Sequence, residues 1–159
     1  VFFLGEYEHS LDPKQRLAIP AELREQFRSD VHGDAWIAAP GANGSLWLWP
    51  EKTFYQLAAA LNGTLLGHED VQRLGRQFFS KAARVTVDAA GRVRIPDRLL
   101  AQYGLAGSVM ILGVGDHLEV CRPEEWKAEQ AKMADEQAEL WRRARAALGG
   151  MTGNGRAAP

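Results

Sequence analysis

Two aspartate–arginine pairs carry the chemistry of this sequence. Asp12 is followed four residues on by Arg16, and Asp88 four residues on by Arg92. The stretches around them, Asp12-Pro-Lys-Gln-Arg-Leu-Ala-Ile-Pro20 and Asp88-Ala-Ala-Gly-Arg-Val-Arg-Ile-Pro96, repeat at an offset of 76 positions. At that offset Ile19 also meets Ile95, Pro20 meets Pro96 and Leu23 meets Leu99. Aspartate favours a tight turn because its carboxylate accepts bonds from the amides that follow it. An arginine just past such a turn can bond guanine bidentately, clamp a phosphate, or simply close a salt bridge back to the aspartate. Strand alternation turns Arg16, Arg92 and Arg94 outward, and Lys14 lies in the first turn. The three arginines are candidate DNA-binding residues. Asp12 and Asp88 would repel phosphates, so they are expected to brace the turns and orient the arginines.

Other chemistries find less support. Two aspartates related by a repeat could share a proton as a protease dyad. Here Pro13 and Ala89 follow them where a hydroxyl residue and glycine would be needed, and each arginine would hold its carboxylate ionised. His9, His32, His68 and His117 are scattered without metal-ligand spacing. Gly113-Val-Gly-Asp116 lacks the third glycine of a dinucleotide fingerprint. No enzyme, metal site or cofactor is expected. A lone cysteine, Cys121, excludes an intramolecular disulfide and reads as a buried thiol.

The elements that must position the arginines follow from periodicity. Residues 4–11 alternate as a half-buried strand, residues 12–15 turn, and Leu17 and Ile19 return along a second strand, which together read as a hairpin. A short helix follows from Ala21 to Phe27, then a polar connection over 29–33. Strands over 35–39 and 45–49 flank a Gly/Asn loop. Trp47 and Trp49 share one face of the latter strand and Leu46 and Leu48 the other. Both faces must therefore be covered, by the chain's own helices or by a neighbour. Pro50 opens a helix that Asn62-Gly63 ends, and Val71, Leu74 and Phe78 mark a connecting helix. The second half replays the first. Trp126, Met133 and Leu140 then recur every seven along a long C-terminal helix, which Gly149-Gly150 is expected to stop. Its closing arginines, Arg142, Arg143 and Arg145, are read as complementing the helix dipole in solvent rather than as DNA contacts.

The predicted organisation is a first repeat over 4–62, a connecting helix over 63–79, a second repeat over 80–123, a helix over 124–148 and a disordered tail over 149–159. Each half is too small to bury a core alone, so the halves should share one about a pseudo-twofold axis. The net charge is −1, which excludes coating nucleic acid by bulk charge. A local excess exists in the second half, where Lys81, Arg84, Arg92, Arg94 and Arg98 face only Asp88 and Asp97 over residues 80–100. No apolar run approaches a membrane span, so a cytoplasmic protein is expected.

Gly5-Glu-Tyr-Glu-His-Ser-Leu-Asp-Pro-Lys-Gln-Arg16 with Ile19-Pro20, and the second Asp88-x-x-x-Arg92, resemble the paired signature of the MraZ family. The resemblance runs from about Phe2 to the helix near Leu148. It implies an α+β fold: a pseudo-twofold β-barrel of two AbrB-like, swapped-hairpin repeats with peripheral helices and a long C-terminal helix. It implies a nucleoid-associated transcriptional regulator that assembles into homo-oligomeric rings. It also carries the family's functional positions over to Asp12, Lys14 and Arg16, then Asp88 and Arg92, which makes Lys14 a DNA-binding candidate beside the arginines. Such regulators bind double-stranded DNA at short G-rich direct repeats upstream of their own division and cell-wall gene cluster. A protein-interaction module, or an antitoxin-like partner-binding protein, is the alternative.

Overall fold

The protein's structure, a computed structural model, describes residues 2–62 and 68–152. The first half contains β1 (Glu6–Ser10), β2 (Arg16–Ala18), α1 (Ala21–Gln26), α2 (Ser29–His32), β3 (Ala35–Pro40), β4 (Leu46–Pro50) and α3 (Glu51–Asn62). Then come α4 (Glu69–Lys81), β5 (Ala83–Thr86), β6 (Arg92–Arg94), α5 (Asp97–Gln102), β7 (Ser108–Val114), β8 (His117–Cys121) and α6 (Pro123–Thr152). The fold is α+β. Its two compact units are residues 1–123 and the segment from Glu124 onward.

In the first unit the strands form an antiparallel six-stranded sheet, ordered β1-β7-β8-β4-β3-β5, and a separate ribbon of β2 and β6. Pairing among the described residues does not close these strands into one barrel. The hairpin expected from residues 4–19 is corrected. Its turn forms, but among the described residues its two arms pair only at an isolated Leu11–Leu17 bridge beside the turn. β1 pairs instead with β7, β2 with β6 and β5 with β3, so each half completes the other. Alternation fixes which face of a strand is buried but not which strand lies beside it, and the buried faces find a larger common core across the halves.

The register is symmetric under the repeat. Arg16 faces Arg94 and Ala18 faces Arg92, about the central pair Leu17 and Val93. Leu46 faces Val120 and Leu48 faces Leu118, about Trp47 and Glu119. The main core accordingly draws on both halves: Leu17, Leu23, Leu46 and Leu48 from one, Val93, Leu99, Leu118 and Val120 from the other.

The second face of the sheet is covered from within the chain. Ile37, Ala39, Trp49 and Phe54 are buried there, with Trp47, Phe78 and Phe79 packed against them. The tryptophans thus sit under the protein's own α3 and α4. In α4 the packing face differs from the expected stripe: Gly75 is buried, whereas Leu74 is 64% exposed. Residues 29–33, read as a plain connection, wind into α2, where the Arg28 amide donates to His32 Nδ1 at 2.7 Å. The connecting helix begins at Glu69, and residues 63–67 of its expected span lie outside the described residues.

The second unit is α6 among the described residues. It continues through Gly149 and Gly150 to Thr152 rather than ending at Leu148. Glycine costs a helix about 1 kcal/mol relative to alanine, which weakens it without stopping it. The expected disorder beyond Thr152 lies outside the described residues. Two of the closing arginines are engaged along the helix, Arg142 by Glu139 and Arg143 by Glu136.

Candidate nucleic-acid interface

The two Asp–Arg turns have the same construction. Asp12 Oδ1 accepts from the amides of Lys14 and Arg16, both at 2.9 Å, and its Oδ2 accepts from Arg16 Nε at 2.6 Å. Asp88 Oδ1 accepts from Ala90 at 2.9 Å and Arg92 at 3.0 Å, and its Oδ2 accepts from Arg92 Nε at 2.9 Å. The Gln15 amide donates to the Asp12 carbonyl at 2.8 Å, as the Gly91 amide does to that of Asp88 at 2.9 Å. These amide bonds, more than the arginine side chains, hold both carboxyls below the usual aspartate value. That is the opposite of a proton-sharing dyad, in which one carboxyl is raised.

Gln15 and Gly91 occupy equivalent positions, and the differing residue types do not change the turn. Both backbones are left-handed, with φ of 58° and 76°. The conformation aims each carbonyl at the other half: that of Gly91 accepts from the Ile19 amide at 3.0 Å, that of Gln15 from the Ile95 amide at 3.2 Å. The turns therefore lock together across the repeat.

This locking gathers the candidate arginines. Residues directly opposite in an antiparallel pair share a face. Arg16 and Arg94 are opposed, as are Ala18 and Arg92. The outward face of the β2–β6 ribbon thus carries three arginines and an alanine, over a core face of Leu17 and Val93 with no exposure. Arg16 Nη1 lies 3.9 Å from Asp88 Oδ2, and Arg92 Nη1 lies 3.8 Å from Asp12 Oδ2. The carboxylates are thus interleaved with the guanidiniums. Arg94 and Lys14 are exposed, and neither side chain has an ion pair among the described residues.

Two further arginines of the basic stretch over 80–100 are otherwise occupied. Arg84 pairs with Glu51 at 2.6 Å, and Arg98 donates to the Lys81 and Ala82 carbonyls at 2.6 and 3.3 Å. Periodicity in the sequence missed Arg24. It is exposed on α1, and its guanidinium lies against Gly91, where a Cβ would collide with it. The available signal was a break in the repeat, since the position equivalent to Arg24 carries Leu100.

Two consecutive stretches of the chain, residues 2–76 and 78–145, match the family described as "MraZ protein, putative antitoxin-like". This chain belongs to the MraZ family. The boundary between the two matches falls within α4, between the halves that exchange strands. A relative from Heliobacterium modesticaldum is 35% identical over 83% of this chain and 89% of its own. One from Leuconostoc mesenteroides is 36% identical over 84% and 90%, and one from Thermomicrobium roseum is 33% identical over 84% and 91%. Each of these MraZ relatives is named a transcriptional regulator. Among the described residues of this MraZ chain no helix is long and apolar enough to cross a membrane. Nor do they contain a cluster of three or more His, Cys, Asp or Glu side chains that could hold a metal.

Proposed function

We propose that this protein is a sequence-specific DNA-binding transcriptional regulator whose β2–β6 ribbon enters the major groove. The observation that carries this reading is the row of Arg16, Arg92 and Arg94 on one face of a ribbon built from both halves. A two-stranded β-ribbon fits the major groove, and arginine there reads guanine through O6 and N7. Arg16 and Arg92 are each held through Nε by an aspartate, which leaves the Nη groups to donate. Because each such pair is close to neutral, it suits base edges better than phosphates. Lys14 and Arg94 carry uncompensated charge and suit the backbone.

The preference for guanine fits short G-rich direct repeats, and membership of the MraZ family supports a target upstream of the protein's own division and cell-wall genes. The strand exchange supports two AbrB-like, swapped-hairpin halves, and a regulator of this kind works in the cytoplasm at the nucleoid. With net charge −1 and one short ribbon per chain, affinity at physiological salt needs several copies on repeated sites. Linked binding can raise avidity by roughly 10²–10⁴. A homo-oligomeric ring is therefore part of the proposal.

One feature favours an antitoxin-like interaction module instead. A half-open apolar recess of about 330 Å³ lies between β4 and the helices α3 and α4, with Trp47, Leu57, Leu74 and Phe78 in its lining. Selection of duplexes from random DNA by the purified protein, followed by light scattering of the free protein, separates the readings. The regulator reading expects enrichment of repeated G-rich words and a mass several times 17.6 kDa. No enrichment over bulk DNA would leave the interaction module.

A further inference from the structure

We infer that Arg24 is a further DNA contact, a phosphate clamp beside the second turn, and this rests on the DNA-binding reading above. Its guanidinium is packed on the turn that carries Arg92. A Cβ built on Gly91 would overlap Arg24 Nη1, Cζ and Cδ, so the side chain lies along the bare backbone of that glycine. The left-handed backbone does not by itself demand glycine, because Gln15 adopts the same region at the equivalent position of the first turn. Glycine at 91 also provides the room that Arg24 occupies.

The guanidinium has no hydrogen bond or ion pair among the described residues. Asp34 and Asp88 line the same recess. Asp88 is engaged by Arg92 and by two turn amides, and neither acid lies within salt-bridge distance of Arg24. A partnerless cation is thus fixed at the edge of the ribbon that Arg16, Arg92 and Arg94 line. The repeat explains its purpose. Lys14 supplies an unpaired cation at the tip of the first turn, and its counterpart in the second is Ala90. Arg24 supplies the missing cation from α1, while its own counterpart, Leu100, is buried. Each turn then presents one aspartate-held arginine, suited to a base, and one free cation, suited to a phosphate.

The test is an anisotropy titration of the full chain between about 50 and about 200 mM salt. It uses a duplex obtained by selection and an unrelated duplex. Arg24→Leu should weaken both several-fold, leave their ratio unchanged, and flatten the slope of log K against log salt by about 0.9. Arg24→Lys should keep the slope, and thermal melting of both variants should match the parent, which separates lost charge from lost structure. Arg92→Ala in the same series should lower the ratio instead. If Arg24→Leu keeps the parent's affinity and slope while Arg92→Ala loses specific binding, Arg24 is no contact and the DNA reading stands. If the ratio falls with Arg24→Leu, the phosphate assignment is overturned. If Arg16→Ala, Arg92→Ala and Arg24→Leu all bind like the parent, the DNA reading itself fails.

Discussion

Asp12 and Asp88 each spend three acceptor contacts on a single turn, two on amides and one on an arginine Nε. The result is a guanidinium of fixed direction in an ion pair of little net charge. These bonds favour the ionised carboxyl, so both aspartates titrate below their ordinary value of 3.8. The sign follows from linkage. A depressed carboxyl contributes stability that is complete above 3.8 and is lost as pH falls from there through the lowered value. Carboxyl-carbon NMR should therefore place both aspartates below 3.8, and Asp12→Asn should remove part of the protein's acid sensitivity. A value at or above 3.8 for either would show that the turn bonds do not persist in solution. Asp88→Asn keeps an acceptor for the amides but loses the charge and frees Arg92, so it should lower the melting temperature at neutral pH as well as weaken specific binding.

The turns and the ribbon were only partly legible at the level of elements. The Asp–Arg spacing and the prolines at 20 and 96 located the turns and the starts of α1 and α5. The outward direction of Arg16, Arg92 and Arg94 followed from alternation. What could not be read was the neighbour of each strand, because alternation carries no information about pairing. The arginines are accordingly expected on a symmetric pair of hairpins sharing one surface, and the structure strings them on one ribbon with a strand from each half. Arg24 was illegible for a related reason: it packs across the halves, on Gly91, at a position where the repeat departs from itself. The shared turn geometry was hidden by Gln15, the only non-glycine among the described residues with positive φ. That conformation costs an L-residue roughly 1–2 kcal/mol, whereas glycine adds roughly 0.4–1 kcal/mol of unfolded-chain entropy. Gln15→Gly should therefore stabilise the protein slightly, by less than ~1 kcal/mol, as read by denaturant unfolding. A clear loss would mean that the Gln15 side chain, whose Oε1 is buried without a partner, contributes packing that outweighs the strain.

The whole first unit depends on both halves at once. β1, β2 and β4 each pair with a strand of the second half, and β3 sits between β4 and β5. A fragment of residues 1–62 retains only the β3–β4 pair, and an isolated two-stranded pair is marginal in water. Sedimentation and thermal melting should show that fragment to be unfolded or associated, and a cooperative transition from a monomer would refute the shared core. The sharing of a core was legible in the size of each half, and the covering of Trp49 by α3 and α4 was one of two outcomes that the sequence left open. The product of that sharing is one ribbon with arginines from both halves, the proposed DNA-reading surface. Equilibrium binding of the intact protein, Arg16→Ala and Arg92→Ala to a selected duplex at matched salt tests it most directly. Each substitution is expected to cost about 1–3 kcal/mol of specific binding. If both variants bind that duplex as tightly as the parent, the ribbon is not the reading surface.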